Sequence, residues 1–472
     1  MIFEEKPSVC IPIISNPNKH QSAVGIIGMY FLFTDGEEQC INFTHPDEID
    51  TDIQLNEIKL HPKTLVFNKK ALVYNGFNCG IDLNSYLHYY ISDHINPKEF
   101  YPKGMETLAN KFYKIEDLGH VIPLSKQLEW ARKIAKYVMK IYTDNPIEQH
   151  CIDYCNDFFT VFHAIERNDI LAGDEIKKQN YMWYTATGRP SNAWDSFNFS
   201  AMNKKDGSRD KIRSRFDGGK IVQFDYDAFH IKLLAKILDY QFERHPYEQI
   251  KDELGIDMDY DQFKSKVFQN IYGTITPEFI VHPFFTTIQA MIDELYSVYE
   301  TDGMVKSWFY EKNFRDIQNV TPNKVFNYVL QSLETEYNVR KIKSILPYLK
   351  NKKSVFMMYL YDAFVFDIHP DEMDLIYVLQ SAFGTDNMSI KILLFNTEKF
   401  VFISFITFSN SYFFANVQTS CVFNASLSLV KIFYHYYPET SMQALREITT
   451  LRCLCILIVS LLPYSCVRHC RH

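Results

Sequence analysis

The sequence predicts a multidomain α+β fold, and the pattern of apolar residues supports this in three parts of the chain. Residues 1–122 alternate short β-rich runs with polar turns, residues 123–180 place apolar side chains at helical spacing, and residues 181–395 mix strands with helices. With 472 residues, 47% of them hydrophobic, the chain is long enough for about two or three domains with large cores. Residues 396–472 have few charges and no lasting period, so we expect a poorly ordered Cys- and Phe-rich tail.

Charge and cysteine content indicate the cellular environment of the protein better than they indicate its activity. A net charge of −8 excludes a uniformly basic surface, although a local groove of Lys and Arg could still bind phosphates. The ten cysteines are scattered and no charged-then-apolar signal segment opens the chain, which favours a reducing, cytoplasmic setting. The longest apolar run, 453–467, is shorter than the roughly 20 residues of a membrane span and contains Pro463, so no membrane segment is expected.

Two β-rich runs each deliver an aspartate, and this pair is the first chemical signal in the chain. The first run is 220–227 with Asp225, and the second is 354–367 with Asp362. Carboxylates on adjacent strands can bridge two hard cations about 4 Å apart, which activates an attacking hydroxyl and stabilises a leaving oxygen in phosphoryl transfer. The pair therefore predicts a site for two Mg²⁺ ions, although a single aspartate in a strand is common.

A predicted helix between the two runs carries a second set of candidate residues. In 261–273, Lys264, Phe268 and Tyr272 are four residues apart and share one helical face. That face offers a cation for a triphosphate, an aromatic ring for a sugar and another ring for a base. An amphipathic helix with a solvated lysine would show the same spacing.

Six segments in a fixed order resemble the motifs of family A DNA polymerases, the bacterial DNA polymerase I type. FDYDAFHIKLLA resembles the first catalytic motif, YLYDAF resembles the His-Asp-Glu motif, and the Lys-x3-Phe-x3-Tyr-Gly segment resembles the fingers helix. The other matches are TATGRPSN at 185–192, AIERND at 164–169, and the pair Asn327 and Gln331. The compact chain, relaxed motifs and short thumb segment resemble a phage or other mobile-element replication polymerase more than a cellular repair enzyme.

The resemblance implies a right-hand polymerase with an antiparallel-sheet palm, helical fingers and a reduced thumb. It assigns 1–122 to a degenerate, RNase H-like 3′–5′ exonuclease-like α/β domain, 123–180 to a helical connector or reduced thumb, and 181–395 to the palm and fingers. The implied reaction, in DNA replication, is attack of a primer 3′-hydroxyl on the α-phosphate of a deoxynucleoside triphosphate. The implied partners are primer-template DNA, dNTPs and, because the thumb segment is short, a processivity factor. For a viral protein the location would be the host cytoplasm.

The resemblance also assigns roles to side chains. Asp225 and Asp362 would bind both Mg²⁺ ions, with the backbone carbonyl of Tyr226 as a further ligand. Lys264 would hold the triphosphate and protonate the departing pyrophosphate. The other nucleotide-binding candidates are Phe268 on the sugar, Tyr272 near the templating base, and His230 against a ribose 2′-hydroxyl. The DNA-binding candidates are Arg189, Asn198, Asn327 and Gln331, of which Arg189 and Gln331 would test base-pair geometry in the minor groove.

Five positions near the predicted site depart from the family pattern, and two of them are Lys232 and Tyr361, which replace an Arg and a His of the family. His230 stands where the family has Glu, and Ala363 follows the second aspartate where the family has another Glu. Tyr260 stands where the family has an Arg that contacts phosphate, a role that Lys266 could take over. Affinity for the nucleotide is therefore expected to be weaker.

The N-terminal region departs further. The segment VFNKKALVYN resembles the second exonuclease motif but has Leu72 where that motif needs Asp. Asp35 and Glu37 sit in a turn-like segment, and Tyr113 with Asp117 fit a third motif only loosely. Hydrolysis by two metal ions needs several carboxylates, so we expect the fold without exonuclease activity.

Two other functions fit parts of the sequence. A single-subunit RNA polymerase would share the palm and the fingers Lys and Tyr. A non-catalytic nucleic-acid-binding remnant would explain the degenerate exonuclease motifs and the unusual tail, but the presence of both aspartates and Lys264 argues against it. A basic cluster in 204–215 could follow DNA phosphates or form a solvated loop.

Overall fold

The computed structural model describes residues 2–15, 20–45, 47, 53–105, 122–193, 196–199, 211–384 and 390–394. All of them lie in one unit, Met1–Phe405, and the second unit, Ile406–His472, contains no described residue. The predicted tail, three of the six basic residues in 204–215, and the candidates Tyr113 and Asp117 therefore fall outside the described residues.

The helices and strands follow the predicted mixture of the two. The α-helices of the described residues are α1 (Lys69–Tyr74), α2 (Leu83–Ile91), α3 (Leu124–Asp144), α4 (Gln149–Glu166), α5 (Phe229–Ile237), α6 (Pro246–Glu253), α7 (Tyr260–Tyr272), α8 (Pro277–Ile280), α9 (Pro283–Asp302), α10 (Pro322–Leu349) and α11 (Leu375–Phe383). The strands there are β1 (Ile2–Phe3), β2 (Ser8–Ile14), β3 (Ile26–Phe33), β4 (Glu38–Asn42), β5 (Lys59–Leu60), β6 (Leu65–Val66), β7 (Ile81–Asp82), β8 (Ile170–Ala172), β9 (Glu175–Lys177), β10 (Tyr181–Met182), β11 (Ser191–Asn192), β12 (Ile212–Arg213), β13 (Lys220–Tyr226), β14 (Met304–Lys306), β15 (Asn313–Arg315), β16 (Val355–Tyr359), β17 (Ala363–Ile368) and β18 (Ile390–Leu394). Among these helices, none is long and apolar enough to cross a membrane.

The N-terminal sheet has five strands in the order β4-β3-β2-β6-β7. β2 pairs antiparallel with β3 and parallel with β6, and β7 extends the parallel side. Alternate residues of β2 enter different cores: Val9 and Ile11 pack in the core that includes α3, and Cys10 packs in another with Phe31. Since β2, β6 and β7 run the same way, their carboxyl ends share one edge of the sheet.

The central sheet has the order β16-β17-β13-β18, and all neighbouring strands are antiparallel. Every residue of β17 is buried, which accounts for the apolar run predicted as a strand. The register of β13 with β17 pairs Val222 with Phe366 and Asp225 with Ala363. This pairing brings the end of β13 beside the turn between β16 and β17.

Helix α4 joins the two sheets. It contacts α2 and β7 of the N-terminal region, and it also contacts α10 and β16. The ring of Phe162 on α4 stacks on Trp183 with 5.4 Å between centroids and meets Tyr359 of β16 edge to face at 5.8 Å. A single hydrophobic core therefore extends from Val9 in β2 to Phe383 in α11.

Helix α10, with 28 residues, runs through this core. Thr321 caps its first turn by accepting a hydrogen bond from the N–H of Lys324 at 3.3 Å, and Pro322 takes the first helical position, where no N–H donor is needed. Residues 332–339 are all buried, polar and apolar alike. Polar side chains in this stretch must therefore find their partners inside the protein.

Candidate active site

Asp225 and Asp362 lie side by side at one end of the central sheet. Asp225 is paired with Ala363 across β13 and β17, and the N–H of Tyr226 donates to the carbonyl of Asp362 at 3.0 Å. The Asp225 side chain is half-buried and accepts a hydrogen bond from Nε2 of Gln223 at 3.2 Å, whereas Asp362 is exposed. Antiparallel pairing thus brings together the backbones of the two aspartates that the sequence singled out.

A two-residue turn, Tyr361–Asp362, presents the second aspartate. The sequence indicated one continuous β-rich run here, but the N–H of Leu360 donates to the carbonyl of Ala363 at 2.8 Å and the chain reverses. Tyr361 has a left-handed φ of 66°, which such turns require and which costs a residue with a Cβ about 1–2 kcal/mol. Asn338 of α10 holds the turn, because its Nδ2 donates to the carbonyl of Tyr361 at 2.7 Å.

The surroundings of Asp362 disfavour its charged form. Although solvent reaches the side chain, burial among protein atoms raises its pKa, and repulsion from Glu334 adds to this rise. A carboxylate in this state gains strongly from a nearby cation. Asp225, Asp362 and the carbonyl of Tyr226 offer hard oxygen donors of the kind that Mg²⁺ selects, so the donor set fits that ion. No cluster of three or more His, Cys, Asp or Glu suited to a metal occurs within the described ranges.

Glu334 of α10 links two of the predicted residues. Its Oε2 atom accepts hydrogen bonds from Nη2 of Arg189 and from Nε2 of His230, the latter at 2.9 Å. The exposed fraction of the side chain is 0% for Glu334, 9% for His230 and 28% for Arg189. Burial alone would raise the pKa of Glu334, but these two partners outweigh burial and hold the pKa below its ordinary value. Sequence reasoning missed Glu334, which belongs to none of the recognised motifs.

The loop that carries Arg189 packs against the Tyr361–Asp362 turn and helix α10. Thr185 donates through its hydroxyl to the carbonyl of Arg189 at 2.7 Å, and the guanidinium lies 4.6 Å from the centre of the Tyr361 ring. Gly188 has a φ of 73°, and a Cβ there would lie 3.2 Å from Oγ of Ser332 on α10. Both the backbone conformation and the limited space therefore favour glycine at position 188.

Helix α7 directs its aromatic face at His230. The rings of Phe268 and Tyr272 stack with 6.2 Å between centroids and 12° between planes. The ring of His230 stands edge-on to both, at 6.2 Å from Phe268 and 5.6 Å from Tyr272. Lys264, one turn earlier on α7, is exposed, and its Nζ lies 6.0 Å from the centre of the Tyr247 ring. The predicted face of this helix therefore adjoins the aspartate-bearing sheet through His230.

The remaining DNA-binding candidates lie on α10 and near β11. Nδ2 of Asn327 donates to the carbonyl of Tyr272 at 2.8 Å and so ties the end of α7 to α10. Gln331, one turn after Asn327, is half-buried. Asn198 is half-buried next to Phe199, which packs in a small separate core with Ile170, Ile212, Ile221, Met357, Met358 and Val365. The roles of these residues in DNA binding stay predictions.

Tyr260 and Lys266 both lie on α7, where the resemblance implied a phosphate-binding Arg and its substitute. Nζ of Lys266, the predicted substitute, pairs with Glu278 of α8 at 3.3 Å. The ring of Tyr260 lies 6.3 Å from that of His245, whose Nε2 lies 2.7 Å from Oδ2 of Asp227. The sequence did not single out His245, whose only local sign is its place just before the proline that begins α6.

The carboxyl-end edge of the N-terminal sheet encloses a cavity of about 330 Å³. Asp82 lines this cavity but serves as the cap of α2, accepting hydrogen bonds from the N–H and the hydroxyl of Ser85 at 2.8 and 2.7 Å. Lys69 and Lys70 line it as well, and Leu72 is buried in α1. Two lysines and one helix-capping aspartate thus line this edge of the sheet.

No family model and no curated protein matches this chain. Among solved structures, the chain is similar to the POL domain of Pol1 from M. smegmatis in complex with DNA primer-template and dNTP, with a TM-score of 0.49 and 10% sequence identity over 83% of this chain and 95% of that chain.

Proposed function

We propose that this protein is a template-directed DNA polymerase that adds deoxynucleotides to the 3′ end of a primer. The observation that carries the proposal is the convergence of Asp225 and Asp362 with the aromatic face of α7, which reaches them through His230. The charge of Asp362 contributes to the raised pKa of Tyr272, which supports their proximity, although burial is the larger cause. Two carboxylates for metal ions and a helix face for a nucleotide then belong to one site.

The chain's own groups would bind and orient the reactants. Asp225, Asp362 and the carbonyl of Tyr226 would hold Mg²⁺, which when bound neutralises phosphate charge and lowers the pKa of the primer hydroxyl. Lys264 would offset charge on the triphosphate, and the rings of Phe268 and Tyr272 would supply apolar surfaces for the sugar and the base. Positioning and charge neutralisation account for most of the rate gain in such a reaction.

The same proposal interprets the larger architecture. The antiparallel central sheet would be the palm, α7 with its neighbours the fingers, and the mixed N-terminal sheet a degenerate exonuclease-like domain of a phage-like family A enzyme. α3 contacts β2 and β3 while α4 contacts α10, so both helices are engaged in packing. A processivity factor would therefore supply the grip on the duplex that a long thumb gives.

Extension of a labelled primer on a DNA template with Mg²⁺ and four dNTPs tests the proposal. The unmodified chain should extend the primer, and Asp225→Ala or Asp362→Ala should abolish extension without abolishing binding of primer-template. Asp371→Ala is the matched control, since Asp371 is an exposed carboxylate that pairs with Lys353 at 3.2 Å and should not matter.

Two outcomes would favour the alternative functions. Binding of primer-template without any extension by the unmodified chain would favour a non-catalytic remnant. Preference for ATP over dATP by the unmodified chain would favour an RNA polymerase.

A further inference from the structure

Glu334 occupies a central place in the candidate site that no motif explains. It lies on α10 three residues after Gln331 and is separated along the chain from its partners Arg189 and His230 by 145 and 104 residues. The contact therefore joins the loop before β11, helix α5 and helix α10 at one carboxylate. Such a junction depends on the tertiary fold and cannot be read from local sequence.

A contribution to stability alone does not explain why a carboxylate is buried at this position. Removing a charged group from water costs free energy, and well-packed apolar side chains of similar volume often stabilise a core as well or better. The Oε1 atom of Glu334 is buried and has no hydrogen-bond partner among the described residues, which adds to that cost. Because the Glu334 carboxylate is costly to bury and binds both Arg189 and His230, its role is better explained by the orientation that it gives to these side chains.

Glu334 restricts the ring of His230. Nε2 of His230 is engaged by the carboxylate, and the ring is bordered by Phe268 and Tyr272 of α7. Phe229 lies on a further side, with 5.5 Å between ring centroids. A ring with one nitrogen bonded and three aromatic neighbours has few rotamers open to it. It presents a fixed surface between the end of the central sheet and the nucleotide face of α7.

We propose that Glu334 is a positioning residue for sugar selection, which holds the His230 ring against the sugar of the incoming nucleotide and thereby excludes a 2′-hydroxyl. The inference rests on the proposed function and deepens it. Without the carboxylate, Nε2 of His230 loses its acceptor, the ring can turn, and room opens beside the sugar. The kcat/KM for ATP then rises relative to that for dATP, while loss of the contact with Arg189 affects the use of both nucleotides alike.

Steady-state incorporation of ATP and of dATP opposite a template thymine tests this, with Glu334→Met compared with Glu336→Met. Glu336 is the matched control because it is equally buried on α10 but accepts hydrogen bonds from the N–H of Phe309 at 2.8 Å and the hydroxyl of Ser332 at 3.2 Å. The ratio of kcat/KM for ATP to that for dATP should rise at least ~10-fold in Glu334→Met, the size expected when one steric contact is lost, and stay unchanged in Glu336→Met. A general loosening of α10 would change both variants alike.

Epistasis with His230 sharpens the test. If Glu334 acts through His230, adding Glu334→Met to His230→Gly should not raise the ratio further. A further rise in the double variant, or an unchanged ratio in a folded Glu334→Met protein, overturns the inference. If Glu334→Met does not fold, His230→Gly alone should raise the ratio, and an unchanged ratio in that variant overturns it as well. An unmodified chain that incorporates neither nucleotide refutes the polymerase function itself, and this result is distinct from an unchanged ratio.

Discussion

Asn338 donates from Nδ2 to the carbonyl of Tyr361 at 2.7 Å and so fastens the aspartate-bearing turn to helix α10. The same Nδ2 also donates to the hydroxyl of Tyr359 at 3.1 Å. Asn338 is fully buried, so water does not replace these bonds when they are lost. The placement of Asp362 therefore depends on a residue that would touch neither metal nor substrate.

Asn338→Ala should reduce both stability and extension rate. The carbonyl of Tyr361 would lose its donor, which costs about 1–3 kcal/mol of unfolding free energy, and the looser turn would lower kcat for primer extension. Urea denaturation and single-nucleotide kinetics measure the two effects. Asn168→Ala is the control, since Nδ2 of Asn168 donates to the carbonyl of Phe356 in β16 at 2.9 Å, away from the turn. Equal losses of kcat in both variants would contradict the prediction.

Replacing Tyr361 with glycine should leave the protein more stable than replacing it with alanine, although alanine is usually the more stable choice. Its φ of 66° is unfavourable for any residue with a Cβ. The free energy of unfolding should therefore be about 1 kcal/mol higher for Tyr361→Gly than for Tyr361→Ala. Neither variant keeps the ring beside Arg189, which makes the comparison direct. At Tyr377, an exposed residue of α11, the order should reverse, because alanine is favoured over glycine by about 1 kcal/mol in a helix. If alanine is favoured at both positions, Tyr361 is unstrained.

Lys264→Ala should impair nucleotide use far more than Lys266→Ala. Lys264 is exposed on the helix face that carries Phe268 and Tyr272, whereas Lys266 is paired with Glu278. Loss of one charged contact to a transition state lowers kcat/KM by about 10²–10³-fold, and loss of a surface ion pair should change it by less than about 3-fold. Kinetics with a single dNTP provide the measurement. Comparable losses in the two variants would exclude a special role for Lys264.

Stability in acid should depend on Glu372. Burial alone would raise its pKa, but hydrogen bonds from the hydroxyl and N–H of Ser354 and from the N–H of Lys353 lower it from 4.5 to about 2. A carboxyl group with a lowered pKa stabilises the fold above about pH 4.5, and this contribution is lost as the pH falls towards about 2.

The corresponding measurement is the difference in melting temperature between the unmodified chain and Glu372→Gln from pH 5 to pH 2. This difference should shrink as the pH falls, and Ser354→Ala should weaken the effect. A difference that is constant across this range would refute the role of Glu372.

Elements with a local period were predictable. The four-residue spacing of Lys264, Phe268 and Tyr272 predicted α7, and the apolar run before Asp225 predicted β13, because each pattern needs only neighbouring residues. The spacing of apolar residues also predicted helices at 124–167, and the structure confirms them as α3 and α4.

Features set by distant contacts were not predictable. Residues 332–339 are buried on every side of α10, so no apolar stripe marks Glu334 or Asn338 as different from their neighbours. The turn at Tyr361 lacks the Gly or Asn that usually announces a left-handed residue, so the sequence indicated one run where β16 and β17 form a hairpin.

The core shared by the two sheets bears on why the N-terminal region would persist through evolution. The aromatic side chains of α4, among them Phe158 and Phe162, are covered from both sides, by the N-terminal region and by the central sheet. Deleting the N-terminal strands would strip one side and leave a large apolar surface in water, which promotes aggregation. Selection for a foldable chain is therefore enough to keep those strands, whether or not they have any chemistry of their own.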